Sequence, residues 1–191
     1  MKKIVFVLFT SMLFLTSCNG IKGDGNIVSQ NRTTSEFYGI TIEGTADVNV
    51  YHDKDYKVVV TTDNNLQDFV SVEAKNNVLY INTKPRLKPT KLMVEVHLPE
   101  LQSINLKGVG NVKLPAGNAS ELEISLSGVG NIDAQNYQVE NIAINHSGVG
   151  DVIIWATNSL SGTLSGVGDI RYKGNPRMSV NINGVGKVAQ L

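Results

Sequence analysis

Paired glycines followed by an amide or a carboxylate are the residues here whose spacing could do chemistry. Lys107–Val112 reads K-G-V-G-N-V, and near copies occupy Ser127–Ile132, Ser147–Val152, Ser165–Ile170 and Asn183–Val188. Close glycines let a backbone cradle phosphate, and clustered carboxylates hold calcium. Neither chemistry fits. A dinucleotide site has a third glycine and opens a helix, and a phosphate loop continues into Lys-Ser or Lys-Thr. Here Gly186 is followed by Lys187-Val188, and the third glycine is missing from every copy. In calcium-binding β-rolls one residue separates the last glycine from the acid. Asp151 and Asp169 instead follow Gly150 and Gly168 directly, which turns them to the other face of a strand. The column Asn111, Asn131, Asp151, Asp169, Lys187 is therefore expected to serve turns, with Lys187 offsetting the two acids and no metal.

Other reactive sets fail on composition. Polysaccharide hydrolysis needs two carboxylates at a set separation, whereas the outward positions of the repeats are Ser, Asn, Thr and Ala, with Glu123 as their main acid. His52, His97 and His146 match no zinc spacing and complete no serine–histidine–acid set. No catalytic residue, metal ligand or cofactor is assigned. His146 is the odd histidine, because it shares a column with Leu106, Leu126, Leu164 and Ile182. Sugar rings stack on aromatic faces, and Trp155, Tyr137 and Tyr172 are the residues that would form a small ligand platform. Trp155→Ala would then abolish glycan binding.

A repeating scaffold must position all of these groups. The first glycines of the five motifs are Gly108, Gly128, Gly148, Gly166 and Gly184, at intervals of 20, 20, 18 and 18 residues. The second glycines are Gly110, Gly130, Gly150, Gly168 and Gly186. A fixed period of this size marks stacked coils. Upstream of each pair, apolar and small polar residues alternate with period two, as in Leu122-Glu123-Ile124-Ser125-Leu126. That is the pattern of a half-buried strand. The pattern predicts an all-β, single-domain parallel β-solenoid of 18–20-residue coils, with the glycines as its structural turns and the valines between them in one file.

The first half differs. No glycine occurs from Thr45 to Lys107, yet runs such as Val48-Asn49-Val50-Tyr51 and Leu92-Met93-Val94-Glu95-Val96 are strand-like. Asn64–Phe69 is expected to form one short helical turn. Glu43–Val48 reads as a decayed copy of the later motif. Residues 26–106 are therefore expected to form larger, irregular N-terminal coils of the same domain.

The N-terminus resembles a bacterial secretory signal. Lys2 and Lys3 precede the apolar run Ile4–Leu15, which is too short for a bilayer span. Leu15-Thr16-Ser17-Cys18 then resembles a lipobox, and Cys18 is the only cysteine of the chain. The expected organisation is a signal peptide over 1–17, a lipidated tether over 18–25 and a folded domain over 26–191. Cleavage removes Lys2 and Lys3 from 17 basic residues, leaving 15 against 17 acidic ones. A chain of that charge has no pull on nucleic acid. Its expected location is the cell envelope, as an outer-membrane lipoprotein held through Cys18. Asn19, next to the anchor, argues against retention by an acidic second residue.

Glu36-Phe37-Tyr38-Gly39-Ile40, Asp47-Val48-Asn49-Val50, Asp63-Asn64-Asn65-Leu66, Leu79-Tyr80-Ile81 and His97-Leu98-Pro99-Glu100-Leu101 together resemble the head GIN domain family of auto-transporter adhesin-like proteins. The likeness runs from about Phe37 to the C-terminus. The resemblance implies a right-handed parallel β-solenoid on a bacterial envelope, often lipid-anchored, with no established catalytic residues. The function expected is thus a non-enzymatic adhesin or surface-interaction protein that meets a glycan or protein ligand. The alternatives are a polysaccharide-binding or polysaccharide-degrading β-helix protein and a self-associating structural envelope protein.

Overall fold

The computed structural model describes residues 20–191. The signal segment and Cys18 lie outside the described residues. The first strands in chain order are β1 (Ile21–Lys22), β2 (Ile27–Arg32), β3 (Gly39–Ile42), β4 (Asp47–His52) and β5 (Lys57–Asp63), followed by a 3-10 turn, Asn64–Phe69. Then come β6 (Val70–Lys75), β7 (Val78–Thr83), β8 (Leu87–Lys88), β9 (Leu92–Leu98), β10 (Ser103–Leu106) and β11 (Val112–Lys113). The repeats supply β12 (Gly117–Leu126), β13 (Ile132–His146), β14 (Val152–Leu164), β15 (Ile170–Lys173), β16 (Arg177–Ile182) and β17 (Val188–Gln190).

All but β1 and β8 join one 15-stranded sheet. One wall runs β6–β7–β3–β10–β12–β13–β14–β16, and the other β2–β5–β9–β4–β11–β13–β14–β15–β17. The long strands β13 and β14 belong to both walls, so the sheet turns back on itself into a nearly closed barrel. Its core is columnar: Leu79, Ile40, Ile104, Ile124 and Ile144 stack on one wall, and Val48, Val112, Ile132, Val152 and Ile170 on the other, all essentially inaccessible to water. Burying each such side chain contributes about 1.5–3 kcal/mol.

This architecture corrects the expected right-handed parallel β-solenoid. The chain is all-β, but its sheet is mixed. β2 pairs antiparallel with β5, β5 with β9, and β6 with β7. The causes are local turns. Asn76 and Asn77 both take positive φ (51° and 62°), the requirement of a two-residue hairpin turn, and they reverse β6 onto β7. The turn after β4 likewise sends β5 back antiparallel to β9, although β4 itself runs parallel to β9. The expected irregular coils over 26–106 are thus partly hairpins.

Inside this mixed barrel the five glycine motifs do lie one on another. Bridges join Thr45 to Val109, and then Val109, Val129, Val149, Val167 and Val185 in succession. Thr45 takes the valine position of the Glu43–Val48 segment. The interval shortens from 20 to 18 because β13 carries three extra residues between Asp133 and Gln138, and β14 one extra between Ala156 and Ser159. Asn64–Phe69 is helical as expected. It closes one end of the barrel, with Leu66 fully buried. Gln67 donates to the Val28 and Val60 carbonyls, and Arg32 donates to Gln67 O and Oε1. The segment before β2 meets the same end: Asn65 Nδ2 donates to Lys22 O, and the Asp24 amide donates to Asn65 Oδ1.

Candidate functional site

An outward groove of about 500 Å³ lies on the wall of β12, β13 and β14, with Glu100 and Gln102 at its foot. Its cause is register. The extra residue at Thr157–Asn158 is a bulge, and bulges bend a strand. Outward residues beyond the bend are small: Ser120, Asn141, Ala143, Ser159 and Ser161. Small side chains leave the space that larger ones would fill. Asn141 sets the floor. Its Oδ1 accepts from Asn158 Nδ2 (2.7 Å) and Ser159 Oγ (2.8 Å).

Glu121 and Glu123 lie on the same face of β12 and line this groove, as does Glu100, which accepts from Gln102 Nε2. Residues two apart on a strand lie about 6.8 Å apart. No basic residue lines the groove. Its chemistry is that of a hydroxyl- and carboxylate-rich surface, suited to a polar ligand with hydroxyl or ammonium groups. The sequence reading found Glu123 but not its partners. Extending the outward column two residues upstream, from Glu123 to Glu121, would have found the pair. Glu100 comes in only through the corner at Pro99, which no local pattern places.

The amide and acid column after the glycines is structural. Asn111 donates through its backbone N and Nδ2 to Asp47 Oδ1 (2.8 and 3.0 Å). The Asn131 backbone N donates to Asn111 Oδ1, Asp151 N to Asn131 Oδ1, Asp169 N to Asp151 Oδ1 and Lys187 N to Asp169 Oδ1. Each side chain holds the turn of the coil above it. The remaining oxygen of Asp151 pairs with Arg171 at 2.8 Å. Arg171, rather than Lys187, carries the side-chain charge against the stacked acids. Among the described residues no three His, Cys, Asp or Glu side chains converge as a metal site would need.

His146 is fully buried, with Nε2 on the Gly150 carbonyl. That contact makes Nε2 the donor and leaves Nδ1 a buried acceptor without a partner. The flanking positions in its column are Leu126 and Leu164. Burying an unpaired acceptor costs about 1–3 kcal/mol, more than the contact to Gly150 returns. His146→Leu should therefore raise the unfolding free energy by about 1 kcal/mol, read as a later urea midpoint at unchanged slope. A loss of stability would show that the contact to Gly150 matters more. His97 Nδ1 lies 3.1 Å from Asp53 Oδ2 on the surface and stacks on Tyr51. The Lys54 amide and then His97 hold the Asp53 carboxyl below its ordinary value.

The three aromatic residues are not brought together. Tyr137 is buried inside the barrel, and burial raises its phenol above the ordinary value against the opposing effect of the Leu101 amide. Tyr172 pairs with Ile154 and packs against the core. Trp155 faces outward, half-buried, with Lys173 Nζ 5.9 Å from its ring centre.

Comparison with known proteins agrees with this architecture. The family model described as "Putative auto-transporter adhesin, head GIN domain" matches twice, over residues 36–116 and 105–176. Several solved structures are similar in fold, among them two that cover nine-tenths of this chain. One is a "putative adhesin" from Bacteroides fragilis, 22% identical, covering 90% of this chain and 100% of its own, with a TM-score of 0.58. The other is a "Putative lipid binding protein" from Parabacteroides distasonis, 23% identical, covering 90% and 99%, with a TM-score of 0.57. No protein of curated function matches the chain.

Proposed function

The chain belongs to the head GIN domain family, and from that membership we propose that it is a non-enzymatic, adhesin-like lipoprotein of the cell envelope, tethered through Cys18. The observation that carries the reading is the groove between Glu100, Glu121, Asn141 and Ser161. It is open, polar and built on paired strands. Its floor is fixed by the Asn141 hydrogen bonds, so a ligand meets it with little ordering cost. The tether joins the barrel at the end closed by the 3-10 turn, which leaves the wall free. A glycan or a protein loop rich in hydroxyl and ammonium groups fits the groove's charge.

Two measurements test this. Protease shaving of whole cells, with a periplasmic control, should remove the protein; full protection would end the adhesin reading. Ser161→Trp fills the groove from an exposed position, so it should weaken capture on a glycan or host-protein array by at least about tenfold, with thermal stability kept. Unchanged capture would move the contact surface elsewhere.

A second reading, polysaccharide hydrolysis, is favoured by the acid pair Glu121 and Glu123 in a groove that Glu100 also lines. It predicts reducing-end release that Glu121→Gln abolishes. Failure of the wild-type chain to release ends from any envelope or host polysaccharide removes it.

A further inference from the structure

We propose that the C-terminal coil, β16 with β17, is the interface with a second copy of this chain, joined end to end in a two-fold dimer. The two ends of the barrel are unlike. The end at β2 and β6 is closed by the 3-10 turn, with Leu66 and Gln67 buried. Among the described residues nothing covers the other end. Met178 is 43% exposed and Ile182 49%, whereas Leu160 and Leu164, directly beneath them in the same columns, are 0% exposed. Val185 and Leu191 are exposed beside them. β16 pairs only with β14, and β17 only with β15, so each has an open backbone edge.

The open edge is complementary to itself. Antiparallel pairing of β16 with its mate, centred on Val180, sets Met178 against Ile182 of the second copy and Val180 against Val180. On the outer face it sets Ser179 against Asn181. All three apolar positions thereby meet apolar positions. A two-fold axis through both walls pairs β17 with its mate in the same operation, so both edges close together. Like charge opposes the arrangement, but the cations are few and spread along the coil. Residues 170–191 hold Arg171, Lys173, Arg177 and Lys187 and no acid. Arg171 is paired with Asp151, and Lys173 donates to Gln135 O. Arg177 faces Asn183 of the second copy and stands about 20 Å from its own mate, roughly twice the screening length. A contact confined to the edge of one coil is small for a specific interface, so the dimer should be concentration-dependent. The tether lies at the opposite end and does not obstruct it. The proposal is independent of what the groove binds.

The test uses residues 19–191, which carry every residue of the barrel. Sedimentation equilibrium across the micromolar range should show a monomer–dimer equilibrium. Met178→Lys with Ile182→Lys should weaken it by at least about tenfold while the barrel's circular dichroism and urea midpoint persist. Val180→Cys should form a disulfide-linked dimer on mild oxidation, because opposed residues of an antiparallel pair lie within disulfide reach. Ser71→Cys on β6, at the closed end, should not. The cysteine pair decides the matter even where the double lysine variant fails to fold. A monomer at every concentration overturns the proposal, and so does an open-ended polymer, which would mean head-to-tail stacking. Equal cross-linking through Ser71→Cys overturns it too.

Discussion

Gly130→Ala should cost this barrel at least about 3 kcal/mol of stability. Gly130 sits at a corner where two coils touch backbone to backbone. Its amide donates to Val149 O at 2.9 Å, and its φ is +141°, a region that side chains with a Cβ rarely enter. A Cβ there would also overlap the Gly110 carbonyl oxygen of the coil below. Both atoms belong to backbones pinned by the file of bridges through Val109, Val129 and Val149, so no rotamer change relieves the overlap. Gly25→Ala is the control. Gly25 has φ +80° but nothing within 4 Å of the would-be Cβ, so only conformational strain of about 1–2 kcal/mol remains. Urea unfolding of both variants, with slopes compared, separates collision from strain. Equal midpoints would mean that the corner is looser than it looks.

The second large effect concerns Asp63, where the segment before β2 meets the barrel. Its side chain is buried. Burial opposes its ionisation, but the Thr90 amide at 2.7 Å and the Gly25 amide at 2.8 Å, with help from the Thr90 hydroxyl, outweigh it. The carboxyl is held below its ordinary value of 3.8. A carboxyl lowered on folding stabilises the fold above its unfolded value, and that contribution is lost as pH falls through the lower folded value. The segment before β2 and the loop before β9 should therefore loosen below about pH 4. Asp63→Asn should give the loosened state already at neutral pH, because an amide cannot accept both backbone N–H groups on charged oxygens. Amide exchange at Gly25 and Thr90 should rise by roughly tenfold, with Ile124 and Ile144 unchanged. Exchange at Gly25 and Thr90 that ignores both pH and Asp63→Asn would show that the segment before β2 is held by other contacts.

Local physics made much of this molecule readable. The alternation of Leu122-Glu123-Ile124-Ser125-Leu126 is a strand with Leu and Ile inward, and it is one. The glycine pairs recur where adjacent coils crowd, and the valines between them form the expected file. The 3-10 turn at Asn64–Phe69 and the turn role of Asp151 and Asp169 follow from short-range preferences as well. Asn76-Asn77 is a hairpin signal of the same short range. Its positive φ values turn β6 back onto β7. His146 and Gly162 look misplaced in apolar columns by pattern alone. In the structure His146 reaches the Gly150 carbonyl, and Gly162 lies so close to the Ile144 carbonyl that no Cβ fits.

Strand direction, the shape of the outer wall and the fate of the barrel ends belong to the tertiary structure. Period-two alternation is the same in parallel and antiparallel ladders, so β5 and β6 carry no mark of their reversal. Only the turns before and after them, and the partner each finds, decide it. Sequence by itself determined an all-β chain with a stacked repeat in its second half, because crowding and burial act between neighbouring residues and one coil's length away. The mixed barrel, the groove that Glu100 shares with Glu121 and Glu123, and the bare coil at Met178 and Ile182 were decided in three dimensions. Those features depend on which distant segments pair, and pairing minimises open edges and exposed apolar surface over the whole sheet.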